Sequence, residues 1–336
     1  PVVVMQGGMT TGALIACSIL GGRVMAPFLA LPMLITQKAQ ADAAVQNLEQ
    51  LFKLKTDDHG PDRKLVPQKL LGNFHLEGVS FAYPGGNKAI TVDKLDISAG
   101  ERVGILGPIG AGKSTLLRML AGLYAPQEGR VMIDGMDMDL ISRQVISQHM
   151  GYLQQDHRLF QGSLRDNLLI GTTDPGDDVI FNAMRRTGLA KLVATHPKGL
   201  ELPIAEGGKG LSGGQRQLVA FTRLLLSGPS VYLLDEPTAS MDDMQERQCL
   251  TELNQEILEK HKTLVLVTHK MSTLGLVNRL IVVLGNRVVL DGPRDLVLEK
   301  LRGNNVQLNA QKAQSPSQSP PPLAAASPAK PSVAPT

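Results

Sequence analysis

The sequence predicts an α/β fold, a parallel sheet with helices on both faces, preceded by a transmembrane α-helix. Three observations carry that expectation. Short apolar runs alternate with helical segments over residues 73–302. A glycine-rich turn, Gly107-Pro108-Ile109-Gly110-Ala111-Gly112-Lys113-Ser114-Thr115, separates one such strand from one such helix. An apolar run from Met9 to Gln37 contains a single charge, Arg23.

Composition narrows the field. With 336 residues the chain has room for more than one structural unit. A net charge of +3, spread along the chain, and the absence of Trp argue against a nucleic-acid partner. Cys17 and Cys249 have no metal-ligand spacing and read as reduced bystanders. The chain opens at Pro1, inside an apolar run and without an initiator Met or a secretory signal. It is therefore expected to be the C-terminal part of a longer protein.

The elements follow in order. Pro1 to Met5 reads as the end of a preceding span, and Gln6 to Met9 as a tight turn. Met9 to Gln37 exceeds the ~20 residues that a spanning helix needs, and Pro27 and Pro32 should kink it. Arg23 stands near its middle, where a lipid-facing charge is costly. It either faces a water-filled path or pairs with a neighbouring helix; transport by Arg23→Ala and Arg23→Lys separates the two. From Lys38 to Phe52, Ala41, Ala44, Val45, Leu48, Leu51 and Phe52 share one face and polar residues the other, so the helix continues into water. Residues 1–52 thus form the membrane part. Residues 53–72, with Asp57, Asp58, Gly60, Pro61 and Pro67, are a linker.

The soluble domain, 73–302, opens with strands Phe74 to Tyr83 and Ile90 to Ile97 around the turn Pro84-Gly85-Gly86. Val103 to Leu106 leads into the glycine-rich turn, and a helix follows from Ser114 to Leu120. Val131 to Asp134, Met150 to Leu153, Val231 to Leu234 and Leu264 to Val267 read as short strands. Arg216 to Leu226 and Asp242 to Glu259 read as helices. Leu280 to Leu284 and Arg287 to Leu290 form a hairpin about Gly285-Asn286. Residues 303–336 are dominated by Gln, Ser, Ala and Pro with no acidic residue, a composition that stays disordered.

Two segments carry chemistry on their own. The glycines between 107 and 112 let backbone N–H groups curl around phosphate oxygens. Lys113 supplies a point charge, Ser114 a hydroxyl for Mg²⁺, and the helix start favours negative charge. Strand Val231 to Leu234 runs straight into Asp235-Glu236-Pro237. Asp235 is placed as the second protein contact of Mg²⁺, and Glu236 to polarise the water that attacks a γ-phosphate.

Leu211-Ser212-Gly213-Gly214-Gln215, ahead of a helix, completes a series that resembles the ATP-binding cassette (ABC) family over residues 74 to 301. The resemblance implies a P-loop NTPase of ABC type, with a RecA-like parallel core, an antiparallel β subdomain and a helical subdomain. Leu211 to Gln215 matches the family signature, which caps ATP on the other subunit of a head-to-tail homodimer. Residues 107–115, with Ser212, Gly213, Gly214 and Gln215, would then contact ATP. Tyr83 matches the aromatic residue that stacks on adenine. Gln155 matches the glutamine that touches Mg²⁺ and the water, although Gln154 stands where the family often has Pro. His269 matches the histidine at the γ-phosphate, and Asp242 fits the loop linking the two nucleotide sites. Before it Ala239-Ser240-Met241 replaces the common Ser-Ala-Leu. Glu206 resembles an acidic position near the membrane-domain contact. With Glu236, His269, Gln155 and Lys113 all present, the resemblance implies a site competent for hydrolysis.

An apolar span fused ahead of the cassette resembles exporters. Thr10 to Ala16, Gly22 to Pro27 and Glu206 to Ser212 look most like type I secretion ATPases. That implies a multi-pass protein of the bacterial inner membrane with its ATPase domain in the cytoplasm. It would export a protein together with a membrane fusion protein and an outer-membrane channel. A lipid or drug exporter would share the same motifs. A soluble mechanical ATPase of DNA repair or translation would lack the Met9 to Gln37 run.

Overall fold

A computed structural model describes residues 10–54, 64–194 and 196–302. The expected end of a preceding span, its turn and the tail 303–336 lie outside the described residues. The chain divides into two units, residues 1–59 and 60–336.

In the first unit, α1 (Thr11–Phe52) is one helix of 42 residues. Thr10 caps it, its hydroxyl accepting the Ala13 N–H at 3.3 Å. The helix runs through Pro27 and Pro32 as one continuous element. The Thr36 hydroxyl donates to the Pro32 carbonyl at 2.9 Å. Its apolar part is long enough to cross a membrane by length and composition. Its large side chains, among them Phe28, Leu29, Met33 and Ile35, are all exposed. The amphipathic stretch after Lys38 belongs to the same helix.

The second unit is built on one ten-stranded mixed sheet. Its first half is β1 (Phe74–Ala82), β2 (Lys88–Ile97), β4 (Glu128–Ile133) and β5 (Met136–Asp137), all antiparallel. The other half has β11 (Arg279–Leu284), β3 (Arg102–Leu106), β10 (Thr263–Val267), β9 (Val231–Asp235) and β6 (Met150–Leu153), side by side and parallel. β12 (Arg287–Pro293) forms the predicted hairpin with β11 and meets β2 at a single register pair, Arg287 with Thr91. The alternation that implied parallel pairing therefore misplaces Val131 to Asp134. That strand runs antiparallel against β1, and Asp134 leaves it with φ 50°. β7 (Gly162–Ser163) and β8 (Pro203–Ile204) form a separate two-stranded ribbon.

Helices cover both faces. Alternation along β9 and β10 sends Tyr232, Leu234, Leu264 and Leu266 to one core and Val231, Leu233, Val265 and Val267 to the other. The first core holds α5 (Asp177–Thr187), α7 (Gly213–Ser227) and α8 (Asp243–Glu259), through Met184, Phe221 and Leu253. The second holds α2 (Lys113–Leu120) and α3 (Arg143–His149) against β1 and β2, through Leu116, Val145 and Leu76. Short α4 (Leu164–Leu168) and α6 (Ala190–Ala194) join α5 in a helical layer that periodicity did not reveal. A capping box between Ser163 and Asp166 starts α4.

Part of the compositional linker is tightly held. Leu65 bridges to Ile141, and Leu70 is fully buried. The Asp134 carboxylate accepts backbone N–H groups of Leu71 at 2.6 Å, Gly72 at 3.3 Å and Asn73 at 2.9 Å.

Candidate functional site

Close approach explains Gly107 and Gly112 of the 107–115 turn. A Cβ on Gly112, at φ 95°, would stand 2.2 Å from the Ala89 carbonyl oxygen, and one on Gly107 2.2 Å from that of Val283. Pro108, Ile109 and Gly110 form an exposed tip, while Ala111 is buried. Lys113, the first residue of α2, turns its ammonium back into the turn. It donates to the Gly107 carbonyl at 2.8 Å and the Pro108 carbonyl at 2.9 Å. Burial pulls its pKa below the ordinary lysine value, opposed by the charges of Glu236 and Asp235. Ser114 is half-buried on the next position.

Tyr83 is tied to the same helix. Its hydroxyl lies 3.1 Å from the Thr115 hydroxyl and accepts from Arg118 at 3.2 Å. Its ring meets Phe81 and Tyr124 edge-on, with centroids at 5.2 and 5.8 Å.

Asp235, buried, ends β9 two strands from β3. Glu236 follows in the left-handed region at φ 51°, its N–H held by the Val267 carbonyl at 3.0 Å. Its Oε1 is buried without a hydrogen bond, and His269 Nε2 stands 3.6 Å away. Burial raises the Glu236 pKa; His269 and Lys113 oppose the rise and Asp235 adds to it. Gln155 is exposed on the segment after β6.

Ser212 caps α7: its hydroxyl accepts the Gln215 N–H at 3.1 Å, and Gln215 Oε1 accepts the Ser212 N–H at 2.8 Å. A Cβ on Gly214 would lie 2.9 Å from the Ser240 carbonyl oxygen, so the signature rests on the 236–240 loop of its own chain. Asp242 caps α8, accepting N–H groups of Met244 at 3.0 Å and Gln245 at 2.8 Å. Glu206 accepts the Gln161 N–H at 3.3 Å.

The structure thus gathers residues 107–115, Tyr83, Asp235, Glu236 and His269. Among the described residues no hydrogen bond or ion pair joins Ser212–Gln215 to residues 107–115. Motif reading also missed a buried frame. Gln217 bonds the Glu236 carbonyl and the Ser240 N–H. Lys270 Nζ reaches the Thr238 carbonyl at 2.8 Å and pairs with buried Glu246, which also accepts from Ser272. Each joins residues distant in sequence.

This donor set fits a nucleoside triphosphate. Cradle glycines, an inward lysine and an unpartnered buried carboxylate oxygen converge, and Ser114, Asp235 and Gln155 supply oxygen donors suited to Mg²⁺.

Known proteins agree. The ABC transporter family model matches residues 91–239. Over 293 residues the chain is 32% identical to the cyclolysin secretion/processing ATP-binding protein CyaB of Bordetella pertussis, covering 86% of this chain and 40% of the relative. It is 31% identical to the toxin RTX-I translocation ATP-binding protein of Actinobacillus pleuropneumoniae, covering 90% and 42%. The uncharacterized ABC transporter ATP-binding protein YwjA of Bacillus subtilis is 32% identical, covering 88% and 51%. The chain thus spans about half the length of these curated relatives, or less. A bacterial Atm1-family ABC exporter, solved with ATP bound, superposes with a TM-score of 0.75 at 26% identity, covering 92% of this chain and 54% of that one. The signature, the phosphate turn and these likenesses converge: the chain carries the ATP-binding domain of the ABC transporter family.

Proposed function

We propose that the chain is the ATP-hydrolysing subunit of a homodimeric exporter in the bacterial inner membrane, with a secreted protein as its cargo. The observation that supports hydrolysis best is the buried, unpartnered Glu236 Oε1 beside His269, on the loop next to Asp235. When bound, Mg²⁺ would neutralise phosphate charge, held by Ser114, Asp235 and Gln155. Lys113 and the N–H groups of residues 107–115 fix the phosphates, and Tyr83 packs on the base. Glu236 orients water and accepts its proton, while His269 holds the terminal phosphate.

The Ser212–Gln215 helix start completes the site of a second copy, in a head-to-tail dimer with two equivalent sites. α1 supplies a membrane span, and nucleotide-driven closure of the dimer moves it together with further spans of a multi-pass protein. The relatives named for cyclolysin secretion and RTX-I translocation favour a protein cargo. A membrane fusion protein and an outer-membrane channel would be its partners.

The test is MgATP hydrolysis by the full-length protein in lipid nanodiscs. Glu236→Gln should keep ATP binding and lower turnover at least about 100-fold. Normal turnover in that variant would overturn the assignment of the base. Stimulation by a candidate secreted protein supports protein export, and stimulation by lipids or drugs alone would redirect the cargo.

A further inference from the structure

We propose that Gln217 is a positioning residue for Glu236, coupling the pose of that carboxylate to the seating of the signature helix in the same chain. The proposal rests on the ATPase reading above and deepens it.

Glu236 occupies a backbone region that residues with a Cβ enter only when their surroundings hold them there. Its N–H is fixed by Val267. Its carbonyl is fixed by the Ala239 N–H at 3.2 Å and by Gln217 Nε2 at 3.2 Å. The other end of the Gln217 amide, Oε1, accepts the Ser240 N–H at 2.8 Å. One fully buried side chain therefore spans both ends of the 236–240 loop. Its two polar ends satisfy two backbone groups that have different geometric demands, so the amide cannot rotate without losing one of them.

Gln217 also lies in the opening turns of α7, whose N-cap is Ser212. Gly214 sits against the Ser240 carbonyl from the same helix. A shift of the α7 start, such as a nucleotide on a second copy would impose, displaces Gln217 and with it the backbone carrying Glu236. The signature thus acts on the carboxylate of its own chain as well as on the site it faces. A merely structural amide would fill the space and satisfy Ser240 without any bearing on hydrolysis.

The test uses full-length protein in nanodiscs: wild type, Gln217→Met, Gln217→Glu, Glu236→Gln, and each Gln217 variant combined with Glu236→Gln. Gln217→Met keeps the side-chain volume and removes both bonds. It should lower kcat at least about 10-fold with the KM for MgATP within about 3-fold. In the Glu236→Gln background, single-turnover hydrolysis should not fall further, because the two residues act as one. A wild-type kcat in Gln217→Met overturns the proposal, as do losses that multiply in the double variant or a KM change alone. If Gln217→Met does not fold, the near-isosteric Gln217→Glu, which keeps the acceptor for Ser240, is read by the same criteria. A wild-type protein without ATPase activity would sink the ATPase reading and this proposal together, whereas normal turnover in Glu236→Gln would overturn the assignment of the base and, with it, this proposal. Sound controls with a silent Gln217 would sink this proposal alone.

Discussion

His269 Nε2 faces Glu236 Oε1 across 3.6 Å, an exposed imidazole against a partly buried carboxylate. Oε1 has no hydrogen bond, and desolvation of the carboxylate is opposed by the His269 charge, by a backbone hydrogen bond from His269 and by the charge of Lys113.

Two pH effects follow from the raised Glu236 pKa. Only the ionised form accepts a proton from water, so ATP hydrolysis should decline on acidification at pH values above the ordinary glutamate range. The folded state also binds this proton more tightly than the unfolded state. The ionised side chain therefore costs stability at neutral pH, and the cost is relieved as pH falls through the raised value. Thermal unfolding should give a higher Tm for Glu236→Gln than for wild type at about pH 7.5, with the gap closing toward acid. A lower Tm for the variant at neutral pH would contradict this.

Lys270 tests the frame behind His269. Glu246 is buried, and burial would raise its pKa, yet Lys270 and the Ser272 hydroxyl hold it below the ordinary value. Lys270→Met strands that carboxylate and releases the Thr238 carbonyl. The expected loss is about 2 kcal/mol, moderated because Lys270 is partly exposed. Adding Glu246→Gln should recover part of it, and a chemical-denaturation double-mutant cycle measures the coupling. The stabilisation from Glu246 is present above its unfolded pKa and fades as pH falls through the depressed folded value.

Glycines of the phosphate turn should not behave alike. Gly110, at φ 80°, has nothing within 4 Å of where a methyl group would stand, so Gly110→Ala should cost only about 1 kcal/mol of backbone strain. Gly112→Ala would put a methyl against the Ala89 carbonyl and should cost more than about 3 kcal/mol. Equal denaturation midpoints for the two variants would refute that account of the cradle.

The phosphate turn and Asp235-Glu236 were legible because their chemistry is written in contiguous residues. Strand positions were legible for the same reason, since Val231 to Leu234 and Leu264 to Val267 are continuous apolar runs. Direction was not: nothing in Val131 to Asp134 distinguishes an antiparallel neighbour from a parallel one. α4 and α6, of five residues each, are too short to display a period. Gln217 and Lys270 meet partners 19 to 32 residues away, and no local pattern records such meetings.

Asp134 offers a test of how the chain enters the domain. Burial would raise its pKa, but N–H groups of Asn73, Leu71 and Gly72 hold it below the ordinary aspartate value. Asp134→Ala leaves three backbone donors without that acceptor and should cost about 2–4 kcal/mol, with faster amide exchange at 71–73. Asp134→Asn tolerates the φ of 50° and should cost about half as much. The wild-type advantage holds above the unfolded pKa and vanishes as pH falls through the lower folded one.

One register pair joins β12 to β2, whereas β1 and β2 share eight and β11 and β12 share six. The sheet therefore has a fault line. Among the described residues, the direct bonds between these two strands and their turn are few: the Thr91 N–H to the Asn286 carbonyl at 2.8 Å, and the Asn286 amide to the Lys88 carbonyl. Arg279 of β11 also reaches across this seam to the Asp96 carbonyl of β2 at 2.8 Å, and Val288 packs against the core that holds Ile90 and Val92. Mild denaturant should loosen this packing first and let the antiparallel half swing as a flap, its amides exchanging as a block before those of β3, β9 and β10.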